Sequence, residues 1–172
     1  IWKGFVVYEW QKGTWKPVAK STNLSILGKS LTVLADGSGW DLVNTLDITI
    51  NGTLQNATEA EVNNGSNWLI VGSQRGYEVI GFRTVTDNGD GTYTLSNLKR
   101  GLLGTTWMED NHIEGEYVYL FKNYARVILP KGDKGVSKLY SIVSNGEEPG
   151  GRGSLFTYAS QAEGKKPYPP TD

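Results

Sequence analysis

His112 is the only histidine of this 172-residue chain, and it stands among Glu109, Asp110, Glu114 and Glu116. With no cysteine present, a metal centre here would consist of one imidazole completed by carboxylates. That donor set is thin for a dedicated site. The plainer expectation is a solvated acidic loop between strands, with at most an adventitious cation near His112. Asp87-Asn88-Gly89-Asp90-Gly91 also offers oxygen donors, but a calcium-binding loop must end its ligand series in a glutamate, and aligning Asp90-Gly91 to that series places Asn97 there. A hairpin turn, with no more than an incidental cation around Asp87–Asp90, is the better reading.

Paired acids are the other chemistry to weigh, since two carboxylates about 5–10 Å apart suffice for glycoside hydrolysis. Glu59 with Glu61, Glu109 with Asp110, and Glu147 with Glu148 qualify by number alone. All lie at an expected helix start or in loops, where solvation or capping accounts for them. No nucleophile elbow accompanies the serines and aspartates. The sequence therefore yields no catalytic residue, no metal ligand and no cofactor, and the chain is expected not to be an enzyme.

Arg100 is the charged residue with the clearest structural role. It follows a strand and precedes Gly101 and Gly104, so its planar fork could tie loop carbonyls or a carboxylate such as Glu78 across a wide turn. A ligand-binding arginine is the alternative. The six tryptophans and nine tyrosines raise a further possibility. Trp10 and Trp15, on an opening hairpin, could form a stacking platform for a glycan or a partner protein, or could plug a core.

Strands must position these residues. Trp2–Trp10 and Thr14–Ala19 read as a hairpin about Gly13, and Leu46–Ile50 alternates as a half-buried strand. Leu24–Ile26 and Leu31–Val33 read as short strands separated by Gly28. Trp68–Val71, Tyr77–Phe82 and Tyr93–Leu95 follow, the last two joined by the Asp87–Gly91 turn, which supplies residues tolerant of positive φ. Glu116–Phe121, Arg126–Leu129, Lys138–Ser144 and Leu155–Tyr158 complete the set. Thr58–Asn64 is the one helical candidate, with Thr58 and Glu61 spaced for a capping box and Gly65 as its stop. These elements predict an all-β fold, an antiparallel sandwich or partly open barrel of about ten short strands with one short helix near 58–64. Residues 1–162 are expected to form one domain, and 163–172, rich in proline, a linker to a following module.

Composition narrows the partners. A formal net charge of -1 with scattered lysines and arginines gives no electrostatic footprint for nucleic acid. No apolar run approaches the length needed to span a bilayer, so membrane insertion by this segment is not expected.

One stretch reaches further. Tyr77-Glu78-Val79-Ile80-x-Phe82, a Gly-Asp-Gly turn, and Tyr93-x-Leu95-x-x-Leu98-x-Arg100-Gly101-x-x-Gly104-Thr105 together resemble the tail-tip hub proteins of long-tailed bacteriophages and related gene transfer agents. Asn67–Gly72 is similar to the strand before that hairpin, and Lys165–Pro170 to the exit into fibronectin-like modules. Two positions depart from the pattern, Trp68 where that family is usually small and Lys99 where it is usually apolar. The resemblance implies a structural virion component of the tail tip or baseplate hub, outside the host cell when assembled. It further implies tail proteins as partners, a homotrimer in the full-length protein, and a bacterial surface receptor engaged through the parent polypeptide during host attachment. The rival expectation is a carbohydrate-binding module that uses Trp10 and Trp15.

Overall fold

The computed structural model describes residues 3–122 and 124–160. The expected linker 163–172 and the start of the first expected strand, Trp2, lie outside the described residues. Within the expected span 1–162 the described residues gather into two compact units, 25–122 and 3–24 with 124–160. The reason is a pairing between distant segments, which returns the carboxy-terminal strands to the opening hairpin.

The larger unit is a six-stranded antiparallel barrel. Its strands are β3 (Leu27–Ser30), β5 (Leu46–Ile50), β6 (Trp68–Ser73), β7 (Gly76–Asp87), β8 (Thr92–Leu102) and β9 (Tyr117–Leu120), with β4 (Trp40–Asp41) added on β8. Around the barrel they run β8-β5-β3-β9-β6-β7, and pairing of β7 with β8 closes the ring. This partial closure gives each of the six strands a neighbour on both sides over at least part of its length and encloses a core. Leu46, Ile48, Leu69, Val71, Ile80, Phe82, Leu95, Leu98 and Val118 are each 0% exposed. They are the inward set of alternating strands, as in β6, where Leu69 and Val71 face the core and Trp68 and Ile70 do not.

The expected hairpin is the longest pairing of the barrel, with Val85 opposite Leu95 and Asp87 opposite Tyr93. Gly89 and Gly91 take the positive φ that its turn requires. Helix α1 (Glu59–Asn63) carries the expected capping box, with the Glu61 amide donating to Thr58 Oγ1 and the Thr58 amide to Glu61 Oε2. Gly28, read as a separator, instead lies inside β3. A Cβ there would come within 1.7 Å of the Thr49 carbonyl oxygen, so the glycine permits a close backbone approach and one strand replaces the two expected around it.

The smaller unit is an open four-stranded antiparallel sheet in the order β11-β10-β1-β2, from β1 (Phe5–Gln11), β2 (Thr14–Ser21), β10 (Ser137–Ser144) and β11 (Leu155–Ala159). The opening hairpin turns at Lys12 and Gly13, both at positive φ. A bulge between Val7 and Tyr8 shifts the register of this hairpin, and Val6 and Val7 are both buried. Pro17 is tolerated because β2 is an edge strand. Residues 126–129, expected as a strand, carry no strand structure. No described helix is long and apolar enough to cross a membrane.

Candidate functional site

The inward parity of the barrel strands carries polar residues as well as apolar ones. Glu78 shares its parity with Ile80 and Phe82, Arg100 with Leu98 and Leu102, and Glu116 with Val118. Pleating therefore drives Glu78, Arg100 and Glu116 into the same interior, where the side chains of Arg100 and Glu78 are 0% exposed.

Arg100 meets Glu78 fork to fork, Nε donating to Oε1 and Nη2 to Oε2, both at 2.9 Å. Nη1 donates to the Ala35 carbonyl at 2.8 Å and to Asp41 Oδ2 at 3.2 Å, and Nη2 also to the Glu109 carbonyl at 3.1 Å. All five guanidinium N–H groups thus find acceptors. Burial opposes the charge, but the hydrogen bond and charge of Glu78, with Asp41 adding to them, raise the Arg100 pKa still further.

The turn itself is held by the same carboxylate. The Gly101 amide donates to Glu78 Oε1 at 2.7 Å. Gly101 sits at φ 62°, and a Cβ there would fall 2.5 Å from both Glu109 Oε1 and Thr106 Cγ2. Gly104 is also at positive φ. Beyond it, Thr105 Oγ1 accepts the Val79 amide at 2.9 Å, which ties the corner back to β7. From the other side, the loop 35–39 lies across Arg100, whose amide donates to the Gly39 carbonyl at 2.7 Å.

His112 is not solvated as expected. It is buried, its Nε2 2.7 Å from Glu78 Oε2 and its Nδ1 2.6 Å from Glu116 Oε2. Only the imidazolium donates from both nitrogens at once. Burial works against that charge, but the hydrogen bonds to Glu78 and Glu116, reinforced by their charges, hold the His112 pKa above its ordinary value. Glu78 is held below the usual carboxylate range, since hydrogen bonds from His112 and Arg100 and the Arg100 charge outweigh its burial. Asp41 is likewise lowered against its burial, chiefly by hydrogen bonds from Asn44 and Val43. Glu109 is pushed up by burial and by the Glu78 charge. Arg100 and His112 thus pair with Glu78, Asp41 and Glu116 across β4, β7, β8 and the segment before β9.

The other sequence candidates lie apart from this cluster. Trp10 and Trp15 pair across β1 and β2 with ring centroids 5.1 Å apart and planes at 66°, and Trp15 lies against Gly150. Asp87 and Asp90 accept turn amides from Gly89 and Thr92. Glu61 is spent on the helix cap and Glu59 faces Arg83 at 3.5 Å. Among the described residues no group of three or more histidine or acidic side chains is arranged to hold a metal ion. The sequence puts His112 and Glu116 in an expected solvated loop and does not single out Asp41, whereas all three are buried. For Glu116 a signal existed, an acid on the apolar parity of its strand four residues from a histidine.

No curated protein matches the chain. Residues 25–119, which hold the barrel up to Tyr119 and every member of the buried cluster, match the family described as Rcc01698-like, C-terminal. That match spans more than half of the sequence, and the chain belongs to this family.

Proposed function

We propose that this chain is a rigid, non-catalytic framework in the tail tip of a phage-like particle, joining the tail hub to distal receptor-binding modules during host attachment. The support is the resemblance carried by residues 76–105. The single observation behind the mechanical role is that Glu78 and Arg100 of that motif are saturated by one another and by Asp41, His112, Gly101 and two loop carbonyls. A corner pinned in this way resists bending, as a part that carries load between modules must. In this reading the partners are other tail proteins, the full-length protein is a trimer, and the site of action is the virion.

Immunogold electron microscopy of particles purified from producing cells tests it, with antibody raised against this chain. Label at the distal end of the tail is expected, and particles that carry no label there, with the protein recovered only from the cell, overturn the proposal.

The rival, glycan binding at Trp10 and Trp15, draws on the 44% exposure of Trp10. Rings at 66° offer a sugar one face rather than a flat two-ring platform. Trp10→Ala should leave glycan-array binding unchanged if the pair serves packing.

A further inference from the structure

The outside of the barrel carries aromatic residues in a row that the framework role does not use. Val118 is core and Leu120 packs against the core, so Tyr117, Tyr119 and Phe121 project outward at alternate positions. The rise of a strand sets successive outward residues about 6.6 Å apart, and the Tyr117 and Tyr119 rings stand 6.1 Å apart with planes at 31°. On β6 the outward residues beside them are Trp68, Ile70 and Gly72. Trp68 lies 5.8 Å from Phe121, also tilted, at 39°. Gly72 pairs with Tyr117 on one side and Tyr77 on the other. A Cβ at Gly72 would fall 2.1 Å from the Gly76 carbonyl oxygen and 2.9 Å from the Tyr77 ring, so the glycine admits the backbone of β7 and the edge of that ring.

At its Trp68 end the row opens into a cleft of about 550 Å³, within the range of small-ligand sites. Among the described residues Gln55, Ser66, Asn67 and Lys122 line it and no carboxylate does. Trp68 is fixed there by its indole N–H, which donates to the Val62 carbonyl at 2.7 Å, and Asn67 by its side-chain amide to the Gln55 carbonyl at 2.6 Å. Lys29 lies at the opposite end, 5.5 Å over the Tyr117 ring.

We propose that this strip, from Tyr77 and Tyr117 through Tyr119 to the Trp68–Phe121 cleft, binds an extended acidic polysaccharide. Ring faces in series receive successive sugar rings, since aromatic side chains give rigid contact area at low entropic cost. The amide and hydroxyl groups of Gln55 and Ser66, which hydrogen-bond to no side chain or backbone group among the described residues, supply donors and acceptors for sugar hydroxyls. Lys29 at one end and Lys122 at the other match carboxylates along such a chain. A dry protein interface would leave the polar cleft unfilled, which favours the glycan over a protein partner. The proposal stands independently of the tail-tip reading.

The test is an array of acidic and neutral bacterial surface polysaccharides, followed by NMR titration of the best-bound oligosaccharide. Saturable binding is expected, with shifts at Tyr117, Tyr119 and Trp68 rather than at Trp10 and Trp15. Tyr117→Ala/Tyr119→Ala, on the exposed face, should weaken binding at least tenfold with the amide spectrum otherwise retained. Lys122→Ala should weaken acidic chains more than neutral ones. Absence of binding to every polysaccharide overturns the proposal. So does binding that survives the tyrosine substitutions, or self-association that those substitutions abolish without any sugar-induced shift.

Discussion

The barrel of residues 25–122 and the sheet of residues 3–24 and 124–160 are built from the same kind of antiparallel strand, yet only the barrel closes. Closure gives it an interior in which Arg100 and Glu78 are withdrawn from water and still find partners for every guanidinium N–H and both carboxylate oxygens. The open sheet keeps its ions partly wet. There Lys138 reaches Glu9 at 2.9 Å and Asp133 at 2.6 Å with 19% of its side chain exposed. Its edges persist as well, and β11 presents Leu155, Phe156 and Tyr158 to solvent. The difference teaches that the buried cluster depends on the barrel's topology, and that comparable groups elsewhere in the chain should matter far less.

Removing one member of the cluster should have the largest effect. Arg100→Ala leaves Glu78 buried without its main counter-ion and should cost about 3–5 kcal/mol, measured by urea denaturation with residue-resolved NMR so that the units are followed separately. Gly28→Ala comes next. Its Cβ would meet the Thr49 carbonyl, a backbone atom that cannot move aside cheaply, and a loss of about 1–3 kcal/mol from the barrel is expected by the same assay.

The pH dependence sharpens the contrast between the units. His112 has a folded pKa above its unfolded value, so its contribution is complete below the ordinary histidine pKa of 6.5 and disappears as pH rises through the higher folded value. Glu78 is depressed, so its contribution is present above 4.5 and lost as pH falls through the lower folded value. The raised Glu109 adds a loss above 4.5, in the same direction as that of His112. Barrel stability should therefore decline as pH rises above about 6.5, and His112→Gln should flatten that limb. An identical decline in the variant would assign the dependence to other groups.

Much of this is legible in the sequence. The β7–β8 hairpin announces itself through its turn glycines, α1 through Thr58 and Glu61, and the corner through Arg100 between strand and glycine. The ring order is not, because β3 and β9 enter between β5 and β6 through pairings between residues far apart in sequence, and no local pattern records such partners. The environment of His112 was hidden for the same reason, since Glu78 lies 34 residues away. Gly28 misled because a glycine that admits a neighbouring backbone looks, in sequence, like one that ends a strand.

Two smaller effects complete the comparison. Thr58→Ala removes the cap of α1 and should cost about 1 kcal/mol, visible as faster exchange of the amides of Glu61 and Val62. Lys138→Met in the open sheet should change stability by no more than about 1 kcal/mol, since partly exposed ion pairs contribute little. A Lys138 effect as large as that of Arg100 would erase the distinction between the two regions.

Native-state hydrogen exchange addresses the central claim, that the Arg100 cluster stiffens the barrel. In the unaltered protein the amides of Phe82, Leu95 and Leu98 should exchange more slowly than those of Val6 and Val143. Arg100→Ala should accelerate the barrel amides by about a hundredfold or more, the equivalent of about 3 kcal/mol, while leaving those of the open sheet near their original rates. Barrel amides that keep their protection in the variant would contradict the account.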